Sequence, residues 1–162
     1  MIVIRGPTLG QSTICEPILR ALPQWFGIEA ATKQYVQDIE TLPTLVAWDD
    51  NTPVGFLALT HHHLASAEIH VTGVLPDYHR RGIGRSLLQQ AEAHLKTQGV
   101  LFLQVKTLSA EAACPFYAKT RQFYTAMGFH PLEVFPTLWG EHNPCLQMIK
   151  WLGSSVNKAQ KR

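Results

Sequence analysis

A chain of 162 residues, 46% of them hydrophobic, is long enough to bury a sizeable core, and one domain is the natural expectation. Its 14 Lys and Arg against 12 Asp and Glu leave a formal net charge of +2, too small to make nucleic acid or a membrane surface a default partner, so any anion site has to be local. Three cysteines, Cys15, Cys114 and Cys145, form no Cys-x-x-Cys pair and read as free thiols of a reducing compartment; no apolar run approaches the roughly 20 residues that span a bilayer, and a soluble, cytoplasmic protein is expected.

"MIVIR" predicts a first strand, closed by the turn residues of "GPTLG". In "STICEPILRALPQWF", Ser12 or Thr13 is placed to cap a helix whose apolar positions Ile14, Ile18, Leu19 and Leu22 repeat at helical spacing up to Pro23, with Pro17 best suited to the helix start. "IEAATKQYVQDIETL" predicts a second amphipathic helix on Ile28, Ala31, Tyr35, Ile39 and Leu42, stopped by Pro43. "TLVAW" and "PVGFLALT", joined by "DDNT", read as a hairpin, and "HHHLAS" as the turn into a third strand, "AEIHVTGVL". Alternation along that strand puts Glu68 and His70 on one face and Ile69 and Val71 on the other. Gly73 then interrupts the alternation, the mark of a bulge or of a close approach to the backbone.

A helix from about Gly82 to Gln98 carries Ile83, Leu87, Leu88, Ala91 and Leu95 on one stripe, with Gly99 beyond its end. "VLFLQVKTL" is the next strand, "YAKTRQFYTAMGF" a helix ended by Gly128, and "HPLEVFP" and "CLQMIKWL" are closing strands on either side of "TLWGEHNP". The order β-α-α-β-β-β-α-β-α-β-β predicts an α/β fold, a mixed sheet with helices on its faces, over residues 1–152; the small, basic tail 153–162 is expected to fray.

The chemistry concentrates at "YHRRGIGRS", where a strand passes into a helix through two glycines spaced as G-x-G. Gly82 and Gly84 let backbone N–H groups approach a ligand with no Cβ between, at a helix N-terminus whose free amides and dipole favour an anion. Arg80, Arg81 and Arg85 gather positive charge there in a nearly neutral chain, so a phosphate or pyrophosphate suits the junction. Neither the dinucleotide fingerprint G-x-G-x-x-G, whose third glycine position holds Leu87, nor the P-loop pattern is present. Metal ligation is not expected: the neighbours His61, His62 and His63 point to alternate faces of a strand, and the pair His142 and Cys145 lacks the rest of a zinc set. Cys114, beside Pro115, has no activating base in view.

The run "VLPDYHRRGIGRSLL" resembles the acetyl-coenzyme A signature of the GNAT superfamily of N-acetyltransferases, [QR]-x-x-G-x-[GA] opening a helix; His79 stands where Gln or Arg is usual. "RQFYTAMGF" is similar to a second segment of that family, with Tyr124 at the tyrosine that faces the coenzyme A sulfur and Tyr117 where an asparagine often stands. The resemblance covers roughly residues 43 to 151. It implies a mostly antiparallel mixed sheet whose two parallel central strands, "AEIHVTGVL" and "VLFLQVKTL", splay apart around the coenzyme. The implied coenzyme contacts are Gly73, Val74, Leu75, His79, Arg80, Arg81, Gly82, Ile83, Gly84, Arg85 and Ser86, with no metal.

The activity so implied is direct transfer of an acetyl group from acetyl-coenzyme A to a primary amine of a small molecule or peptide. An alkylamine with a pKa of roughly 10.4 is mostly protonated at neutral pH, so a base is needed. Glu68, where many family members carry an acid, is the first candidate and His70, on the same face, the second. The amides around Gly73 and Val74 are placed to polarise the thioester carbonyl, and Tyr124 to protonate the departing thiolate. Acceptor recognition falls to Trp25, Tyr117, Arg121 and Trp139, with Asp38 or Glu141 attracting the amine's charge, and the resemblance allows a homodimer. The alternative on the same fold is a catalytically silent coenzyme A sensor or interaction module; from the amide nest alone, a nucleotide-binding protein also stands open.

Overall fold

Seven segments of apolar alternation and four apolar stripes become strands and helices in a computed structural model that describes residues 1–153. The tail expected to fray lies, from residue 154 on, outside the described residues. The strands are β1 (Ile2–Thr8), β2 (Thr44–Asp49), β3 (Thr52–His63), β4 (Ser66–Val74), β5 (Phe102–Leu108), β6 (His130–Phe135) and β7 (Cys145–Trp151). The helices are α1 (Ser12–Arg20), α2 (Glu29–Thr41), α3 (Ile83–Thr97) and α4 (Pro115–Ala126). They build one sheet in the order β1-β2-β3-β4-β5-β7-β6, antiparallel throughout except for β4 beside β5. This is the mixed α/β sheet expected from the element order, with the mostly antiparallel pairing that the resemblance implied.

Each face of the sheet carries its own core. The α3 stripe of Ile83, Leu87, Leu88, Ala91 and Leu95 is buried with Leu57, Leu59, Ile69, Leu103, Val105 and Tyr124. On the opposite face Cys15, Ile18, Leu19 and Leu22 of the α1 region and Ile39 of α2 pack on Val46, Phe56, Ala58 and Val71. Burying apolar area on both faces is the main force that closes such a layered fold.

Some element bounds differ from those expected. β3 continues through His61, His62 and His63, so the turn is reduced to Leu64 and Ala65. Helix α1 starts at Ser12 and holds Pro17 inside it. Neither Ser12 nor Thr13 caps α1 with its side chain; instead Ser12 donates through both its hydroxyl and its amide to the Glu40 carboxylate of α2. A carboxylate at that position also meets the positive end of the α1 dipole.

The strand that leads to the phosphate-type junction departs from simple alternation at His70. Ala58 of β3 pairs with Val71 of β4 and the next residue, Leu59, pairs with Ile69, so His70 is an extra residue, a β-bulge. The consequence is a change of face: Ile69 enters the α3-side core while Val71 enters the α1-side core, against the expectation that they share a face. Gly73 is not the bulge. It is a close approach to the segment after α1, since a Cβ there would lie 2.9 Å from Leu22 Cδ1. Parallel pairing of β4 with β5 runs from Ser66–Phe102 to Ile69–Val105 and stops at the bulge. Beyond it both strands continue unpaired to each other, and the sheet opens between them.

Candidate active site

The opening is the floor of a cleft of about 910 Å³, walled by the end of β4, the start of α3, α4 and the segment after α1. One edge of β4 from His70 to Val74 has no strand partner on the β5 side, so the backbone groups of that edge face the cleft.

The α3 terminus opens into it. Gly82 adopts φ 75° and Arg80 φ 61°, left-handed values that turn the chain sharply between β4 and α3; a glycine takes such a value at least cost. No side chain caps the helix, and the first amide to find an acceptor is that of Ser86, which donates to Gly82 O at 3.0 Å. The N–H groups of Ile83, Gly84 and Arg85 have no hydrogen-bond acceptor among the described residues. Uncapped amides at a dipole's positive end, with Arg80 and Arg85 lining the same cleft, fit a pyrophosphate-bearing ligand. Gly84 meets the ring of Phe123 from α4, to which a Cβ would come within 3.5 Å.

Of the residues expected to hold the coenzyme, Gly73, Val74, His79, Arg80, Gly82, Ile83, Gly84 and Arg85 line the cleft, and Leu75, Arg81 and Ser86 do not. Leu75 donates its amide to Val54 O at 2.8 Å and packs into both cores. The Arg81 guanidinium lies 4.9 Å over the Tyr78 ring, whose hydroxyl donates to Asp49 Oδ2 at 2.8 Å. His79 turns back onto its own strand, donating from Nε2 to Val74 O at 2.7 Å, and meets Trp25 edge to face at 5.9 Å.

Tyr124 lines the cleft from α4 and is 3% exposed, set between Phe123 and Phe129. Burial pushes its hydroxyl well above the ordinary tyrosine range, so it keeps its proton. The two base candidates part company. Glu68 is 7% exposed and absent from the cleft lining; Lys106 Nζ donates to both its oxygens at 3.0 Å, and His62 Nε2 lies 2.6 Å from one of them. His70 lines the cleft, with Nε2 2.8 Å from Asp38 Oδ2 on α2 and its ring edge-on to Tyr35 at 5.7 Å.

Trp25 lines the cleft and ties the segment after α1 to α4. Its indole N–H donates to Thr120 Oγ1 at 3.1 Å, its carbonyl accepts from Tyr117 Oη at 2.7 Å, and its ring packs on Phe116 at 5.2 Å. Tyr117 and Trp139 also line the cleft, whereas Arg121 donates to Leu108 O at 2.6 Å outside it. Tyr35 and Phe123 are cleft residues that the sequence reading did not assign to the site. Tyr35 and Asp38, three apart, share a helix face, which was the available signal. All three cysteines are free, and burial raises the thiols of Cys15 and Cys145 to about 12 and about 11, which keeps them protonated.

The sequence profile of the acetyltransferase (GNAT) family matches residues 16–129. An uncharacterised N-acetyltransferase of Chlorobaculum tepidum is 30% identical over 95 residues, 57% of this chain; the match spans about half of that relative's length, 54%. Among solved structures, the ribosomal-protein-S18-alanine N-acetyltransferase of Escherichia coli superimposes with a TM-score of 0.75 at 18% identity, over 98% of each chain. The PaiA N-acetyltransferase of Thermoplasma acidophilum, solved in complex with coenzyme A, gives 0.72 at 18% identity over 93% of this chain and 99% of that one. At these identities the superpositions speak to the fold.

Proposed function

This chain belongs to the acetyltransferase (GNAT) family, and from that premise we propose that it transfers an acetyl group from acetyl-coenzyme A to a primary amine of a small molecule or peptide. The observation that carries the reading is the convergence, in one cleft at the β4–β5 splay, of an uncapped helix terminus, two arginines, an unpartnered strand edge and a buried tyrosine. Bound acetyl-coenzyme A supplies an acyl group activated as a thioester. The amides of Ile83, Gly84 and Arg85, with the Arg80 and Arg85 guanidiniums, bind its pyrophosphate. The free edge of β4 orients the arm of the ligand, and Val74 contributes through its amide because its carbonyl already accepts from His79, whereas the backbone groups of Gly73 face Phe56 on β3. Tyr124 holds a proton at Oη, retained by burial, that it presents to the departing sulfur. Trp25 and Tyr117 shield the reacting end from water.

The test is calorimetric titration with acetyl-coenzyme A, with ATP and NAD as controls. It is followed by thiol release in the presence of four probe amines: 2-phenylethylamine, spermidine, kanamycin and a peptide with a free N-terminal alanine. Selective binding with release from at least one probe supports the reading. Tight ATP binding without acetyl-coenzyme A binding overturns it, and binding with no release from any probe favours a catalytically silent module.

A further inference from the structure

His70 occupies the one position in β4 where the strand leaves its partner, and the bulge that places it there also opens the cleft. Its Nε2 lies 2.8 Å from Asp38 Oδ2, while Asp38 Oδ1 accepts from Gln34 Nε2 at 2.8 Å, so both carboxylate oxygens are fixed from α2 and β4. An ionised carboxylate only accepts, so the shared proton sits on Nε2, and the ring in its neutral form carries its lone pair on Nδ1. Nδ1 has no hydrogen-bond partner among the described residues. Tyr35 holds the ring edge-on at 5.7 Å and is itself backed by Phe26 at 5.9 Å, so the imidazole is gripped from α2 and from the segment after α1. Glu68 has no such freedom, because Lys106 engages both of its oxygens and it does not line the cleft.

Resting on the acetyltransferase reading above, we propose that His70 is the base that deprotonates the acceptor ammonium, that Asp38 is its positioning residue, and that Glu68 anchors Lys106 at the cleft wall. The step balances within the chain: an N–H bond of the ammonium breaks and an Nδ1–H bond forms. The positive charge passes to the imidazolium, whose Nε2–H stays on Asp38, and the proton leaves Nδ1 to water after the product departs. The charged and titratable groups around the ring are Asp38 and Tyr35 on α2, Glu68 on its own strand, Lys106 on β5 and Tyr117 on α4. Lys106 is neutralised by Glu68, which leaves Asp38 as the uncompensated charge nearest the imidazole.

Two measurements test this. Long-range ¹⁵N NMR of the histidine rings, with His70 assigned by its loss in His70→Gln, is expected to show the Nε2–H tautomer in the unliganded protein and a mixture of tautomers in Asp38→Ala. Kinetics with the fastest of the four probe amines are expected to show His70→Gln reduced about 100-fold in kcat/KM at pH 7, with the deficit shrinking below about 10-fold at pH 9.5 as more acceptor arrives as free amine. Glu68→Gln is expected to show a deficit of the same size at both pH values. An Nδ1–H tautomer, or a His70→Gln deficit equal at pH 7 and 9.5 while acetyl-coenzyme A still binds, overturns the dyad alone. A wild-type protein that fails to bind acetyl-coenzyme A, or releases thiol from no probe, overturns the parent reading and the dyad with it.

Discussion

At the scale of single residues the cleft contrasts groups that hold protons with groups free to take them. Tyr124, buried between two phenylalanines, is a donor and not a base throughout the neutral range. Tyr124→Phe keeps the packing and is expected to lower kcat by about 10²-fold while leaving the acetyl-coenzyme A dissociation constant within about threefold; unchanged turnover would return Tyr124 to a core role. Tyr117 yields a stability prediction of definite sign. Burial raises its hydroxyl to about 12 from an ordinary 10.0, so above pH 10.0 the unfolded chain sheds its proton first and the folded state loses ground until about pH 12. Urea midpoints at pH 9 and pH 11 should fall less between the two in Tyr117→Phe than in the wild type. An equal fall would show that Tyr117 does not carry the alkaline loss. Glu68 shows the limit of reading roles residue by residue: its type and strand position mark a base, but a lysine 38 residues later in the chain occupies both of its oxygens.

At the scale of elements, the α3 terminus is the part of the site most legible beforehand, because a glycine-punctuated entry and an apolar stripe are both local patterns. Gly82 supplies the positive φ, and Gly84 needs only room beside Phe123. Gly84→Ala should therefore bind acetyl-coenzyme A nearly as well as the wild type, since its Cβ would sit at 3.5 Å from the ring, an ordinary contact. Gly84→Asp sets a carboxylate against the incoming phosphates and should weaken binding at least 10-fold in a protein that still folds, as calorimetry beside circular dichroism would show. Binding unchanged in folded Gly84→Asp would mean that the terminus holds no anion. The cap of α1 was not legible in the same way. Ser12 carries the residue type of a self-capping helix, yet its hydroxyl and amide go to Glu40, one residue from the far end of α2, and only the packing of two helices brings those groups together. Gly73 was expected to mark a bulge or a close approach to the backbone; it marks the close approach, by Leu22, and the bulge of β4 lies at His70.

At the scale of the whole molecule, the cleft is an interruption of the sheet walled by α3, α4 and the segment after α1, with Trp25 of that segment tied to α4. A ligand seated there bridges elements from both cores. Acetyl-coenzyme A at 100 times its dissociation constant should stabilise the fold by about 2.7 kcal/mol, raising Tm by roughly 5 to 10 °C, with ATP and NAD at the same concentration doing far less. A thermal scan showing equal shifts for all three would point to a generic anion site. Element order, strand and helix types, the two-faced core and the glycine-punctuated, basic entry to α3 were determined by the sequence itself, since each rests on hydrophobic period or on glycine and charge within a few neighbouring positions. Which carboxylate is held by a lysine, which base candidate lines the cleft and where the sheet parts were decided only by tertiary structure. Those outcomes depend on β-sheet register and on contacts between Glu68 and Lys106, or Asp38 and His70, that chain folding alone brings within 3.0 Å.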